Sequence, residues 1–253
     1  MENTNSTFQN YDIYAASDIG KKRKNNEDSA YCARSQYGVI LCVADGMGGH
    51  RKGEVASKMV VDSLSIPFQE LKHEMTLFRA KYFVSHYSKK VNKEIYRMSV
   101  SYDEYREMGT TEAVAVICND GTYIFSVGDS RVYSYSKDKG LNQVTVDQSY
   151  VEMLFESGRI NKSEMLTHPQ RNLLTNAVGL NGKLVNYEQY ELKNDSYDSL
   201  LLCTDGLFNM VSDEEITGVL SGDGSAEDKT KKLVQLALNH GGIDNVAVVV
   251  LEK

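Results

Sequence analysis

Ala113-Val114-Ala115-Val116-Ile117-Cys118 runs into Asn119-Asp120-Gly121 and continues as Thr122-Tyr123-Ile124-Phe125-Ser126-Val127. Two apolar runs of strand length flank a turn, and Asp-Gly supports the positive φ that tight hairpins need. The stretch predicts an antiparallel hairpin. Gly128-Asp129-Ser130 then makes a second reversal into Arg131-Val132-Tyr133-Ser134-Tyr135, which alternates as a half-buried strand does. Working outward, Val39 to Ala44, Leu200 to Cys203 and Val246 to Leu251 are further apolar strands.

Helical patterns fill the gaps. Gly53 to Leu64 is one, and about Leu71 to Met98 is another, with Leu71, Met75, Phe78, Tyr82, Val84, Val91 and Ile95 mostly at helical spacing. Gln148 to Ser157 is shorter. Ser212-Asp213-Glu214-Glu215 is a capping-box start, and a last helix from about Ser225 to His240 stops at Gly241-Gly242. Hairpins with helices grouped between them predict layered α+β rather than alternating βαβ.

Length and composition bound the function. At 253 residues the chain can bury a substantial core, and it is read as one domain, residues 1–253. A net charge of -7 argues against a general nucleic-acid binder. Lys21-Lys22-Arg23-Lys24 is the only basic cluster, and Glu27 and Asp28 follow at once. The four cysteines form no C-x-x-C pair and read as free thiols, not as a zinc site or disulfide frame. No stretch approaches a membrane span, and the polar start, about residues 1–10, is not a signal peptide. A cytoplasmic setting is expected.

Four aspartates lie where apolar strands meet glycine, serine or asparagine: Asp45, Asp129, Asp205 and Asp244. Singly, each reads as a turn residue. Four carboxylates at strand ends are costly unless something cationic compensates them, and hard divalent ions are the natural candidates. Two glycine motifs fail. Gly48 to Gly53 has P-loop glycine spacing but lacks the Lys-Ser/Thr ending, and Gly128-Asp129-Ser130-Arg131-Val132 lacks the second glycine of a nucleophile elbow.

The remaining motifs form an ordered series. Gly20 to Ser29 comes first, then Ala44-Asp45-Gly46-Met47-Gly48-Gly49-His50 with Gly53-Glu54-Val55-Ala56-Ser57. Met108-Gly109-Thr110-Thr111, Val127 to Arg131, Cys203-Thr204-Asp205-Gly206-Leu207 and Gly242-Ile243-Asp244-Asn245 follow. From about Tyr14 to Leu251 this series resembles the metal-dependent Ser/Thr phosphatases of the PP2C (PPM) family, in their bacterial form.

The resemblance implies a four-layer α-β-β-α sandwich of two antiparallel sheets with helices outside. It implies that Asp45 bridges two metal ions and that Gly46 lends a carbonyl oxygen. Asp205 and Asp244 would ligate one ion of the pair, and Glu27, beside Asp28, would hold the other through water. Asp129 and Asp205 would share a third, weaker ion. Arg23 matches the arginine that grips the substrate phosphate. Asn245 is read as orienting Asp244, and Gly109-Thr110-Thr111 as a structural lead into the next strand. All-oxygen ligands suit Mn2+ or Mg2+. The implied reaction is attack by metal-bridging hydroxide on phosphoserine or phosphothreonine, with no phosphoenzyme.

Three departures from the family pattern stand out. Met47 replaces a histidine that many eukaryotic members carry after the Asp-Gly pair, which leaves the proton donor open, with His50 three residues on. Gln148 and Asn176 stand where histidine and arginine are more usual. Residues of about 149–175, with Gly158 and Pro169, resemble the variable flap beside the active site. The expected partners are phosphorylated Ser/Thr proteins and a bacterial Ser/Thr kinase that the enzyme opposes, with no nucleic acid or membrane, and a monomer. The alternatives are a catalytically silent module of the same fold and a narrow phosphatase of an anti-sigma-factor antagonist.

Overall fold

The computed structural model describes residues 8–48, 52–184 and 186–253. In chain order the elements are β1 (Asp12–Asp18), β2 (Asp28–Ser35), β3 (Gly38–Met47), α1 (Gly53–Gln69), α2 (Leu77–Ser101), β4 (Gly109–Thr110), β5 (Glu112–Cys118) and β6 (Gly121–Val127). Then come β7 (Arg131–Ser136), β8 (Gly140–Gln143), α3 (Tyr150–Glu156), α4 (Lys162–Thr167), β9 (Glu188–Leu192), β10 (Ser199–Cys203), α5 (Asp205–Phe208), α6 (Asp213–Leu220), α7 (Ala226–Asn239) and β11 (Val246–Glu252).

The strands form two antiparallel sheets. One has the order β1-β11-β10-β7-β8, and the other β2-β3-β5-β6-β9 with β4 added to β3. The continuous apolar runs are explained by burial on both faces. Val39, Leu41 and Val43 of β3 point between the sheets, where they meet Val249 and Leu202. Ile40, Cys42 and Ala44 point the other way, toward Val60 and Leu64 of α1 and Val84 of α2. On the opposite side Val248 and Leu201 pack against Leu233 and Ala237 of α7. The result is the expected four layers, helix–sheet–sheet–helix. No helix among the described residues is long and apolar enough to cross a membrane.

The β5–β6 hairpin forms with Cys118 paired to Gly121. The second reversal differs from its expectation: β6 and β7 lie in different sheets, so Gly128-Asp129-Ser130 carries the chain across the sandwich. Gly128 has φ +94, and a Cβ there would stand 2.7 Å from the Thr111 side chain. The second helix also begins later than its pattern suggests. Thr76 caps α2 by accepting the Arg79 N–H, so Leu71 and Met75 precede it. Phe78 and Tyr82, counted with the apolar face, are instead 81% and 67% exposed. α1 runs on past Leu64 to Gln69 because Phe68 is drawn into the core. Ser212 and Ser225 both form capping boxes. Cys42, Cys118 and Cys203 are buried and free, and Cys32 is free and partly buried.

One buried group is a liability that the sequence does not announce. Glu112, the first residue of β5, is fully buried; one carboxyl oxygen lies 2.6 Å from the Ser88 hydroxyl and the other has no partner. Burial raises its pKa from 4.5 to about 8, against the Ser88 hydrogen bond. The folded protein therefore keeps a proton that the unfolded chain releases. Stability should fall as pH rises from about 4.5 to about 8 and then level off, a loss of about 2–5 kcal/mol. Thermal melts at pH 5 to 9 should show this slope in the native protein and a shallower one in Glu112→Gln; equal slopes would contradict it.

Candidate active site

Strand ends on one side of the sandwich carry the acids. Asp45 lies near the end of β3 and pairs in register with Asp28 at the start of β2. Asp205 opens α5 directly after β10, Asp244 stands two residues before β11, and Asp129 sits in the crossover between sheets. With Glu27 and Arg23 of the β1–β2 loop, Asp45, Asp129, Asp205 and Asp244 line one cleft of about 600 Å3. Gly46 and Asn245 line it too, whereas Asp28 does not. His50 lies outside the described residues.

Backbone and hydroxyl contacts hold the acids there. The Asp45 N–H donates to the Thr111 hydroxyl at 2.8 Å, and its carbonyl accepts the Thr111 N–H at 2.8 Å and the Thr110 hydroxyl at 2.9 Å. Thr111 also meets the Ser130 hydroxyl at 2.6 Å, next to Asp129. Gly109-Thr110-Thr111 thus braces Asp45 as well as leading into β5. Gly46 donates its N–H to the Glu27 carbonyl, which also accepts the Ser57 hydroxyl at 2.6 Å. Buried Asp28 accepts the Thr204 hydroxyl at 2.7 Å and stands behind the cleft wall.

Asn245 holds Asp244 through its backbone N–H and does more with its side chain. Its side chain accepts the Glu27 N–H at 2.9 Å and donates to the carbonyls of Ile19 and Asn25. It fixes the Arg23–Glu27 loop, while its backbone N–H holds the Asp244 carboxylate at 2.8 Å. Gln148 and Asn176 act on the flap base: Gln148 accepts the Gly128 N–H at 3.0 Å and is bonded in turn by the Asn176 amide. The flap supplies Leu173 and Leu174 to the cleft wall. The apolar lining residues Leu173, Leu174 and Leu180 carry no motif signal of their own, and the bracing hydroxyls, though inside the motifs, gave no sign of their role.

The cluster is electrostatically costly. Burial, and then repulsion from Asp28, Asp205 and Asp129, pushes the Asp45 carboxyl well above its usual range. Burial and Asp205 do the same to Asp129, and burial and Asp244 raise Asp205. Arg23 donates to Asp244 at 2.7 Å; burial opposes its charge, yet the carboxylates outweigh this and keep it a cation. Among the described residues, no three acidic, histidine or cysteine groups stand as a finished ion cage. The acids stand close enough to repel one another instead, Asp28 and Asp205 both raising Asp45. Divalent ions would offset that repulsion and favour the ionised carboxylates. A crowded, all-oxygen donor set with one guanidinium fits hard divalent cations and does not fit zinc.

A family model, protein phosphatase 2C, matches residues 18–239. Serine/threonine phosphatase stp of Listeria monocytogenes serotype 4b is 36% identical over 237 residues, 93% of either chain. Protein phosphatase PhpP of Streptococcus pneumoniae serotype 2 is 35% identical over 243 residues, 95% of this chain and 96% of its own. The crystal structure of serine/threonine phosphatase Stp1 from Staphylococcus aureus superposes with a TM-score of 0.88 at 34% identity, covering 95% and 94% of the two chains. The catalytic domain of the phosphatase PstP, solved with two manganese ions, gives a TM-score of 0.80 at 32% identity, covering 96% and 97%. The chain belongs to the protein phosphatase 2C family.

Proposed function

We propose that this protein is a metal-dependent phosphatase that hydrolyses phosphoserine and phosphothreonine on protein substrates. The observation that carries the reading is the convergence of Asp45, Asp205 and Asp244 from three separate strand ends on one cleft, with Arg23 among its lining residues. A complete acid set favours a working enzyme over a silent module. The core pair of ions, Mn2+ or Mg2+, would be held by Asp45, the Gly46 carbonyl, Glu27, Asp205 and Asp244, and a third by Asp129 with Asp205. When bound, these ions supply positive charge at the phosphoryl group and acidify water.

The chain's own residues do the rest. Arg23 spends one amino group on Asp244, and the remaining donors of its fork can take two phosphate oxygens. Among the described residues, those lining the cleft include no serine, cysteine or histidine, and the Thr111 hydroxyl is already engaged by the Asp45 N–H and Ser130. That supports water as the attacking group, with no phosphorylated side chain. Met47 offers no proton, and among the described lining residues no histidine stands in its place, so water in the cleft would supply the proton of the leaving oxygen. The setting we favour is the cytoplasm, opposite a Ser/Thr kinase, with the protein acting as a monomer whose flap of residues 149–175 helps select proteins.

Kinetics of phosphate release from a phosphothreonine peptide test the reading. Arg23→Ala should raise KM about tenfold or more, with a smaller change in kcat, as expected for a lost charge-assisted contact to the phosphate. A trapped phosphoprotein during turnover, or an unchanged KM in this variant, would count against it.

A further inference from the structure

Arg131 touches three segments of the site at once. Its guanidinium forks onto Asp147 (Nε to Oδ1 at 2.9 Å, Nη2 to Oδ2 at 2.7 Å), and Nη1 donates to the Tyr133 hydroxyl at 2.9 Å. The same plane stacks on Phe208, 3.6 Å from the ring centre. Both charged side chains are largely buried. Each partner belongs to a different part of the cleft. Asp147 enters the flap stem, Phe208 ends the short helix that Asp205 begins, and Arg131 itself lies two residues beyond Asp129.

The stem is narrow. Gln148 N–H donates to the Gly128 carbonyl, Thr175 N–H to the Gln148 carbonyl, and Tyr150 N–H to the Leu173 carbonyl. Beyond these bonds the flap's α3 and α4 hang over a second cleft of about 520 Å3, which adjoins Asp129, Asp205 and Asp244. Arg131 and Asp147 line that cleft opposite Met165 and Leu166. Among the described residues, Arg131–Asp147 is the one ion pair between the flap stem and a sheet.

We infer that Arg131 is a positioning residue that sets the flap's angle over the acidic cleft, through the fork to Asp147 and the stack on Phe208. Its role in turnover rests on the proposed phosphatase reading; its role in seating the flap does not. A guanidinium suits the task because it offers a rigid bidentate fork and a flat face together, which lysine does not.

The test uses Arg131→Lys and Asp147→Asn, with Phe208→Leu as a variant that keeps the ion pair and loses only the stack. Limited trypsinolysis reads the flap directly, since Arg159, Lys162 and Arg171 are exposed on it, and Lys72 is an exposed control outside it. Cleavage in the flap should quicken about tenfold while cleavage at Lys72 is unchanged, the pattern of a local opening. With a phosphothreonine peptide, KM should rise about five- to tenfold, and kcat/KM for a small aryl phosphate should stay within about twofold. If Arg131→Lys does not fold, Phe208→Leu decides by the same readouts. Flap cleavage that is unchanged, or that rises in step with Lys72, would overturn the inference. So would equal losses on peptide and aryl phosphate. A native protein with no phosphatase activity would remove the functional reading and leave the proteolysis to judge the clamp.

Discussion

Asp205→Asn is expected to lower kcat/KM for a phosphothreonine peptide by about a thousandfold or more while leaving the protein folded. Asp205 stands at the junction of the site. Burial and the neighbouring Asp244 raise its carboxyl, and the Asn209 amide holds it from outside at 3.1 Å. Both the core pair of ions and the third would draw on its oxygens. Asparagine keeps the shape and removes the charge. The same substitution should raise the melting temperature in chelator at neutral pH. The folded-state pKa of Asp205 is raised by burial and Asp244, so its ionised form is destabilising above the unfolded value. Removing that charge should return about 1–2 kcal/mol. Kinetics and paired melts check both halves; activity within tenfold of native would contradict the assignment.

Gly206→Ala should be nearly as damaging by a different route. A Cβ at Gly206 would lie 1.8 Å from the Asn245 carbonyl oxygen and 2.9 Å from its carbon, and both are backbone atoms that cannot swing away. The loops bearing Asp205 and Asp244 would have to separate. Because Asn245 holds Glu27 and the Asn25 carbonyl, the shift would reach the Arg23 loop as well. A loss of about 3–5 kcal/mol is expected, with activity falling by more than tenfold. Gly140→Ala is the control: its φ is +72 but nothing lies within 4 Å, so only backbone strain of about 1 kcal/mol should appear. Denaturant unfolding of both variants measures the difference, and similar losses would refute the close-approach argument.

These two positions also show what a sequence can reveal. Asp205-Gly206 is visible as a motif because a strand ends there on an acid, but the reason for the glycine is a partner 39 residues away. The strands that periodicity identified are β3, β5, β6, β7, β10 and β11, which are inner strands of the two sheets. Those it missed are the sheet edges β1, β2, β8 and β9, and the two-residue β4 added to β3. Edge strands carry polar residues such as those of Glu188-Gln189-Tyr190-Glu191-Leu192, half-buried in alternation, and so lack the continuous apolar signal. In the cleft, the aspartates were legible because a buried-strand context makes their charge conspicuous. The hydroxyls of Thr111, Ser130, Ser57 and Thr204 fall inside the same motifs, but their bracing roles were not legible, since serine and threonine are ordinary in loops and strands alike. Phe78 and Tyr82 misled for the opposite reason: helical spacing marks a face, and it does not say which face is covered.

The most direct measurement is phosphate release from a phosphothreonine peptide by the purified protein with Mn2+, with Mg2+ and with excess chelator. The account predicts release with a divalent ion, none in chelator, and release lower by about a thousandfold or more from Asp205→Asn with either ion. Release that persists in chelator, or a folded protein that binds Mn2+ and releases no phosphate with either ion, would contradict it.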